Sequence, residues 1–328
     1  MPTNLPPEYF EVEKRFRLAR SPAEKIACLE EMLSIIPKHK GTDHLRADYR
    51  RQLSKLKSSA QAKKKGGVQP SAFRVEREGA AQVVVVGSTN TGKSSLVRAL
   101  TKAEPEVSSA PYTTWRPTPG MLDVDGAQIQ LIDSPPLDRE YLEPELIDLI
   151  RRADLVLLMV DLQADPLDQL EHSVAVLEEN RIVPRHRQGL DRGDRLVSFV
   201  PFFVLVNKCD DESWDELCQV FRELLTEDWP MLAVSVKTGR NLGSFKQALF
   251  DALELVRVYS KVPGRDPDLE APFVLRRGAT VEDFAGRVHK DFLTKLKFAR
   301  VWGSTEFAGQ MVQRDYVLKD GDIVELHI

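Results

Sequence analysis

Eight consecutive residues have the types and spacing of a phosphate-binding loop. Gly87 and Gly92 frame the stretch, and Lys93 and Ser94 close it. The glycines let the chain curl so that backbone N–H groups face phosphate oxygens, while the lysine reaches the β and γ phosphates and the serine hydroxyl ligates Mg²⁺. A chance glycine-rich turn is the alternative. The predicted phosphate-binding residues are Gly87, Ser88, Thr89, Asn90, Thr91, Gly92, Lys93, Ser94 and Ser95.

A second set of residues could select the base. An Asn-Lys-Cys-Asp sequence follows the apolar run 202–206, and Ser-Val-Lys follows a later apolar run. An aspartate in the first set can accept two hydrogen bonds from the guanine N1–H and amino groups, which adenine does not offer. The sequence therefore favours GTP over ATP. The predicted base-recognition residues are Asn207, Lys208, Asp210, Ser235, Val236 and Lys237.

A third set could handle the metal ion and the terminal phosphate. Asp133 ends an apolar run and could hold Mg²⁺ through water, while Thr113 or Thr114 lies in a loop that could reach the metal. Switch segments of this kind normally have a glycine three residues after the aspartate, but this chain has Pro136, which has no N–H to donate. We predict Lys93, Thr114 and Asp133 as catalytic residues, with turnover that is slow or dependent on a partner or a cation.

The elements that must position these residues follow the pattern of an α/β fold. Apolar segments alternate with helical ones, which predicts a mainly parallel sheet with helices on both faces. Strands are predicted at 82–86, 129–132, 155–160, 202–206 and 232–235, and helices at 93–101, 144–152, 167–180, 215–225 and 242–256. Residues 273–328 are predicted to mix short strands with one helix at 281–293.

The N-terminal part has a different pattern. A capping box at 21–24 precedes an amphipathic helix, and 43–57 predicts a second helix with a basic outer face. Residues 58–70 have linker composition. We therefore divide the chain into a helical segment with a basic linker at 1–70, a nucleotide-binding domain at 80–260 and a C-terminal domain at 268–328.

Composition limits the class of protein. The chain has 328 residues, a formal net charge of −4 and three cysteines without metal-ligand spacing. Its longest apolar runs are too short to cross a bilayer, and its N-terminus lacks the apolar core of a signal peptide. We expect a cytoplasmic protein with neither a membrane nor a DNA partner.

The order of these motifs resembles the Obg-related GTPases, and most closely their developmentally regulated GTP-binding (DRG) branch. The matching segments are 87–94, 111–122, 132–136, 206–210 and 235–239. Segments 257–264, 272–275, 280–284, 288–290 and 299–303 resemble the family's TGS domain. The resemblance implies a P-loop NTPase fold with an N-terminal helical segment and a ubiquitin-like β-grasp domain at 268–328.

The resemblance also implies an activity and partners. It implies Mg²⁺-dependent conversion of GTP to GDP, with Ser94 and Thr114 as metal ligands, together with ribosome or RNA binding. A protein regulator is expected from the residues after Asp133, which predict turnover that is slow or dependent on a partner or a cation. Asn90 corresponds to an asparagine that coordinates K⁺ in some relatives, although a loop asparagine more often caps its own turn. Pro136 departs from the family pattern.

Several alternatives remain open from the sequence. A GTP-binding scaffold with little hydrolysis would keep the same nucleotide site, and an ATP-using enzyme is disfavoured by Asp210. The basic segment 46–65 fits either phosphate contact or a solvated helix face. Phe298, Trp302 and Phe307 fit either base stacking or a core. The arginine-rich insertion at 181–198 has no predicted role.

Overall fold

The computed structural model describes residues 75–103, 117–139, 141–189 and 197–328. It also describes Val12, Arg15, Phe16, Cys28, Leu29, Glu31, Met32 and Ile35. The chain divides into two compact units, Met1–Ser71 and Ala72–Ile328.

The described residues of the first unit are helical, and Val12, Leu29 and Met32 are buried. Arg15 Nη2 lies 2.6 Å from Glu31 Oε1. The predicted second helix at 43–57 and the basic segment 46–65 lie outside the described residues.

The second unit begins with a six-stranded sheet. Its strands are β1 (Ala81–Val86), β2 (Thr118–Val124), β3 (Ala127–Asp133), β4 (Leu155–Asp161), β7 (Phe202–Asn207) and β8 (Met231–Ala233), and their order is β2-β3-β1-β4-β7-β8. All neighbouring strands are parallel except β2 and β3. Two short strands, β5 (Ile182–Pro184) and β6 (Ser198–Val200), pair separately.

Helices cover both faces of this sheet because its strands are apolar on both sides. In β1, Val84 and Val86 face a core completed by α2 (Pro144–Arg151), α3 (Pro166–Glu179) and α4 (Asp215–Leu224). Val83 and Val85 face the opposite core, which includes α1 (Lys93–Leu100) and α5 (Leu242–Ala252). The predicted α/β fold class is confirmed. Strand β2 was not predicted, because its Pro119 and Gly120 are typical of turns. Pro119 is tolerated because β2 is an edge strand.

The C-terminal part forms a second, mixed sheet. Its order is β10 (Phe273–Arg276), β9 (Leu255–Ser260), β13 (Asp322–His327), β11 (Phe298–Trp302) and β12 (Gln310–Val312). Helix α6 (Val281–Val288) closes its core through Val281, Phe284 and Ala285. This arrangement matches the expected β-grasp.

Two boundaries in this part differ from the prediction. The predicted helix 242–256 ends at Ala252, and β9 belongs to the second sheet, so this sheet starts earlier than the boundary placed at 268. The predicted single helix 281–293 is two helices, α6 and α7 (Lys290–Lys295), because His289 adopts an extended backbone between them.

Candidate nucleotide site

The phosphate-binding loop joins β1 to α1, as the sequence predicts. Gly92 has φ +98°, and a Cβ there would lie 2.4 Å from Asn207 Nδ2. Only glycine fits this position, since both the backbone angle and the approaching amide exclude a side chain. The backbone of Asn90, in the same loop, is in the left-handed region at φ +64°.

Lys93 and its neighbours form the polar base of the loop. Lys93 is 7% exposed, and its Nζ donates to the carbonyl oxygens of Gly87 at 3.0 Å and Ser88 at 2.7 Å. Burial lowers the pKa of Lys93 to about 8, although the nearby carboxylates of Asp133 and Asp138 oppose that shift. A bound phosphate would stabilise the charged ammonium.

Asp133 ends β3 beside the loop. The Ser94 hydroxyl donates to Asp133 Oδ2 at 2.6 Å. Asp133 Oδ1 is buried and has no hydrogen-bond partner in the part of the chain that the structure describes. Burial raises the pKa of Asp133, while the Ser94 hydrogen bond and the Lys93 charge oppose this. A buried carboxylate oxygen without a donor, next to a serine hydroxyl, suits the hydration shell of a divalent cation.

Asn207 connects the base-recognition residues with the phosphate-binding loop. It ends β7, where ligands commonly bind in open α/β sheets. Its Nδ2 donates to the Thr91 carbonyl at 2.8 Å, and its Oδ1 accepts from Val236 N–H at 3.1 Å. One side chain therefore holds both loops.

The Asp210 carboxylate is held between two donors. It accepts a hydrogen bond from Ser235 Oγ at 2.7 Å and one from Lys237 Nζ at 3.0 Å. The Ser235 and Lys237 hydrogen bonds, together with the positive charge of the lysine, hold the pKa of Asp210 below its usual range. The carboxylate is ionised at neutral pH and can accept from a ligand.

The two loops enclose a cavity of about 510 Å³. The predicted residues that line it are Asn90, Gly92, Ser95, Asn207, Lys208, Asp210, Ser235, Val236 and Lys237. The predicted residues Gly87, Ser88, Thr89, Thr91, Lys93, Ser94 and Asp133 are outside this lining, in or beside the same loop. Thr114 lies outside the described residues.

The segment after Asp133 packs against the phosphate-binding loop. Pro135, Pro136 and Leu137 are buried, and Leu137 N–H donates to the Gly87 carbonyl at 3.2 Å. Asp138 accepts hydrogen bonds from the Thr89 N–H and hydroxyl, each at 2.9 Å. Pro136 stands out in the sequence, whereas the contact between Asp138 and Thr89 was not predicted.

Comparison with known proteins identifies the family. A family described as "50S ribosome-binding GTPase" matches residues 82–188, and the TGS domain family matches residues 256–328. An uncharacterized GTP-binding protein of Methanocaldococcus jannaschii is 31% identical, over 93% of this chain and 92% of its own. The chain belongs to the TGS-domain GTP-binding proteins.

Other relatives of this TGS-domain GTP-binding protein agree. Developmentally-regulated GTP-binding protein 2 of Homo sapiens is 25% identical, over 92% of this chain and 98% of its own. The YchF GTPase of Schizosaccharomyces pombe has a similar fold, with a TM-score of 0.52 and 15% identity over 77% of this chain and 99% of its own.

Two further polar residues beside the cavity, Asp161 and Gln163, were not predicted from the sequence. Asp161 ends β4 and pairs with Lys208, and Gln163 Nε2 donates to the Lys208 carbonyl at 2.9 Å. Gln163 also lines the cavity. The sequence feature that could have predicted them is the position of Asp161, which directly ends a buried apolar strand.

The TGS domain contacts the nucleotide-binding domain directly. Arg257 donates to Asp125 Oδ2 at 3.0 Å and to both carboxylate oxygens of Asp320, while its guanidinium lies 4.6 Å from the Phe250 ring centroid. Arg276 pairs with Asp154. Among the described residues, no helix has the length and apolar character needed to span a membrane.

Proposed function

We propose that this chain is a Mg²⁺-dependent GTPase of the DRG-like branch, which hydrolyses GTP to GDP in the cytoplasm and works with the ribosome or RNA. The observation that carries the proposal is the cavity shared by the phosphate-binding and base-recognition loops, which Asn207 joins. The branch assignment is supported by the similarity to developmentally-regulated GTP-binding protein 2 over nearly the whole chain.

The base proposed for the site is guanine. Asp210 is ionised and lies at the cavity wall, and its carboxylate is oriented by Ser235 and Lys237. Guanine offers two adjacent donors to such a carboxylate, whereas adenine would leave it without them. This argues against an ATP-using enzyme.

Mg²⁺ is the metal that suits the site. Ser94 would be a direct ligand, and Asp133 would hold the ion through water with its unpartnered Oδ1. When bound, Mg²⁺ neutralises charge on the phosphate oxygens. Lys93 would contact the same phosphates, and Thr114 is proposed as the further ligand on the basis of the resemblance alone.

Hydrolysis needs a source of charge stabilisation other than the usual switch glycine. Pro136 has no N–H, and the next N–H, that of Leu137, is already donated to Gly87. Asn90, which lines the cavity, is the proposed K⁺ ligand, and K⁺ would supply positive charge near the phosphates. A protein regulator could supply it instead.

The ribosome or RNA partner is supported by the TGS domain and by the description of the matching family. The TGS sheet carries aromatic and basic groups, and the Glu325 carboxylate pairs with both Lys261 and His327. Phe298 stacks on His327 at 4.5 Å between centroids, and Lys261 Nζ lies 4.7 Å from the Trp302 centroid. Phe307 is 71% exposed, so it is not a core residue. Such groups suit unstacked bases.

A GTP-binding scaffold is the second candidate, and Pro136 is the observation that favours it. The two are separated by measuring steady-state GTP hydrolysis with Mg²⁺, in K⁺ and in Na⁺, with and without ribosomes. We expect the rate of GTP hydrolysis to be higher in K⁺ than in Na⁺, and to be lost in Asn90→Ala. Tight GTP binding without turnover in every condition would instead establish the scaffold.

A further inference from the structure

The segment after Asp133 brings a carboxylate onto the phosphate-binding loop. Asp138 Oδ2 accepts from Thr89 N–H and Asp138 Oδ1 accepts from the Thr89 hydroxyl, each at 2.9 Å. The preceding residue is fixed, because Leu137 is buried and its N–H donates to the Gly87 carbonyl. The carboxylate is therefore held at a defined point of the loop.

Thr89 lies at the end of the loop that faces the terminal phosphates. Lys93 Nζ donates to Gly87 and Ser88, the two residues before Thr89. Because the lysine of such a loop reaches the β and γ phosphates, its ammonium marks that end of the site. Asp138 is close enough to Lys93 to favour the charged form of the lysine.

We propose that Asp138 makes the nucleotide site discriminate against nucleoside triphosphates and in favour of diphosphates. The inference rests on the guanine-nucleotide site proposed above. A triphosphate either binds beside the carboxylate and is repelled by it, or displaces Asp138 and breaks both hydrogen bonds to Thr89. A diphosphate ends one phosphate earlier and meets less repulsion. In this segment Pro136 has no N–H that could donate a hydrogen bond to the terminal phosphate. The carboxylate of Asp138 instead repels that phosphate.

The test compares dissociation constants of GDP and of the β,γ-imido analogue of GTP, measured by titration calorimetry with Mg²⁺. Asp138→Asn removes the charge but keeps an acceptor for Thr89, and Asp138→Ala removes both. Asp148→Asn is the matched control, since Asp148 is exposed, pairs with Arg151 and is remote in sequence from both loops. We expect the analogue to bind about tenfold more tightly to both Asp138 variants, with GDP affinity changed less than about threefold. The control should match the unmodified protein.

A second readout is hydrogen exchange of the Leu137 amide in the unmodified protein. If the triphosphate displaces Asp138, the GTP analogue should accelerate this exchange and GDP should not; if it binds beside the carboxylate, neither nucleotide should accelerate it. An unchanged or weakened analogue affinity in Asp138→Asn, or an equal gain for both nucleotides, would overturn the role of Asp138 and leave the nucleotide site intact. An unmodified protein that binds neither nucleotide would overturn the site itself.

Discussion

Asn207 Nδ2 lies 2.8 Å from the carbonyl oxygen of Thr91, so the residue that begins the base-recognition loop is also a support of the phosphate-binding loop. Its Oδ1 accepts from Val236 N–H on the other side. The geometry of the two halves of the site therefore depends on one buried amide.

Replacing this amide should loosen both halves. Asn207→Ala leaves the Thr91 carbonyl and the Val236 N–H without their partner, which we expect to lower the free energy of unfolding by about 1–3 kcal/mol. GDP and GTP affinities should fall together. Asn180→Ala is the control, because Asn180, which follows the last residue of α3, donates a similar hydrogen bond from Nδ2 to the Val176 carbonyl at 2.9 Å. Urea unfolding and calorimetry check both, and equal binding losses in the two variants would contradict the linking role.

Base choice should depend on the Asp210 carboxylate. In Asp210→Asn the amide oxygen can still accept from guanine N1–H, but the amide N–H faces the 2-amino group, which is also a donor, so GTP affinity should fall on the order of a hundredfold or more. Xanthosine triphosphate, which has a carbonyl oxygen in place of that amino group, should bind better than GTP. Competition against a fluorescent nucleotide measures this order, and unchanged GTP affinity would remove Asp210 from the base site.

Nucleotide affinity should fall at alkaline pH because of Lys93. Its pKa in the free protein is about 8, and phosphate favours the protonated form. Below pH 8 the lysine is already charged and contributes no pH dependence, whereas above pH 8 binding must take up a proton. GDP affinity should therefore drop about tenfold between pH 7 and pH 9.

The control for this pH dependence is Lys93→Arg, whose guanidinium stays charged. Any change of GDP affinity with pH that remains in Lys93→Arg reports ionisation of the nucleotide or of other groups. Lys93→Ala should abolish tight binding of both GDP and GTP at every pH. An identical slope in Lys93→Arg and in the unmodified protein would show that Lys93 does not titrate on binding.

Most of the described residues that line the cavity are among those predicted from the sequence, because they lie in short contiguous segments. Residues 87–94 and the residues around Asp210 are contiguous and follow apolar strands, so their types alone indicate the phosphate and base contacts. The relation between them was not predictable, since the Asn207 to Thr91 hydrogen bond joins residues 116 positions apart. Asp138 was missed for the same reason, because an isolated aspartate has no local signal for a distant backbone N–H.

Fold boundaries were hardest to predict where local and tertiary preferences disagree. Pro119 and Gly120 resemble a turn, but β2 pairs with β3 over its whole length. The apolar spacing of residues 242–256 continues past Ala252, yet Leu255–Ser260 pairs with β10 and β13. Pairing with distant strands decided both cases.

The response to Mg²⁺ should depend on the Ser94 hydroxyl. In Ser94→Ala the affinity for the GTP analogue should no longer increase when Mg²⁺ replaces EDTA, because a direct ligand is missing. Ser95→Ala is a close control, since Ser95 lines the cavity but is not assigned to the metal. Retained Mg²⁺ dependence in Ser94→Ala would exclude the assignment.

The hairpin between β2 and β3 should be sensitive to added bulk at its tip. Gly126 has φ +85°, and a Cβ there would lie 2.8 Å from Pro272 Cδ. Gly278 has φ +89°, and no atom of the described residues lies within 4 Å of a Cβ added there. Both alanine variants should incur the backbone strain, and Gly126→Ala should lose about 1–3 kcal/mol more free energy of unfolding. Equal losses would mean that Pro272 yields without cost.

The same hairpin tip constrains how such proteins can be recombined. Gly126 lies against Pro272, and the preceding Asp125 accepts a hydrogen bond from Arg257. The β2–β3 turn of the nucleotide-binding domain is therefore in close contact with the TGS domain. A chimaera that exchanges the TGS domain between relatives would have to take the β2–β3 turn with it. The unit to exchange is therefore the TGS domain together with the β2–β3 turn that contacts it, even though this turn lies more than a hundred residues earlier in the chain.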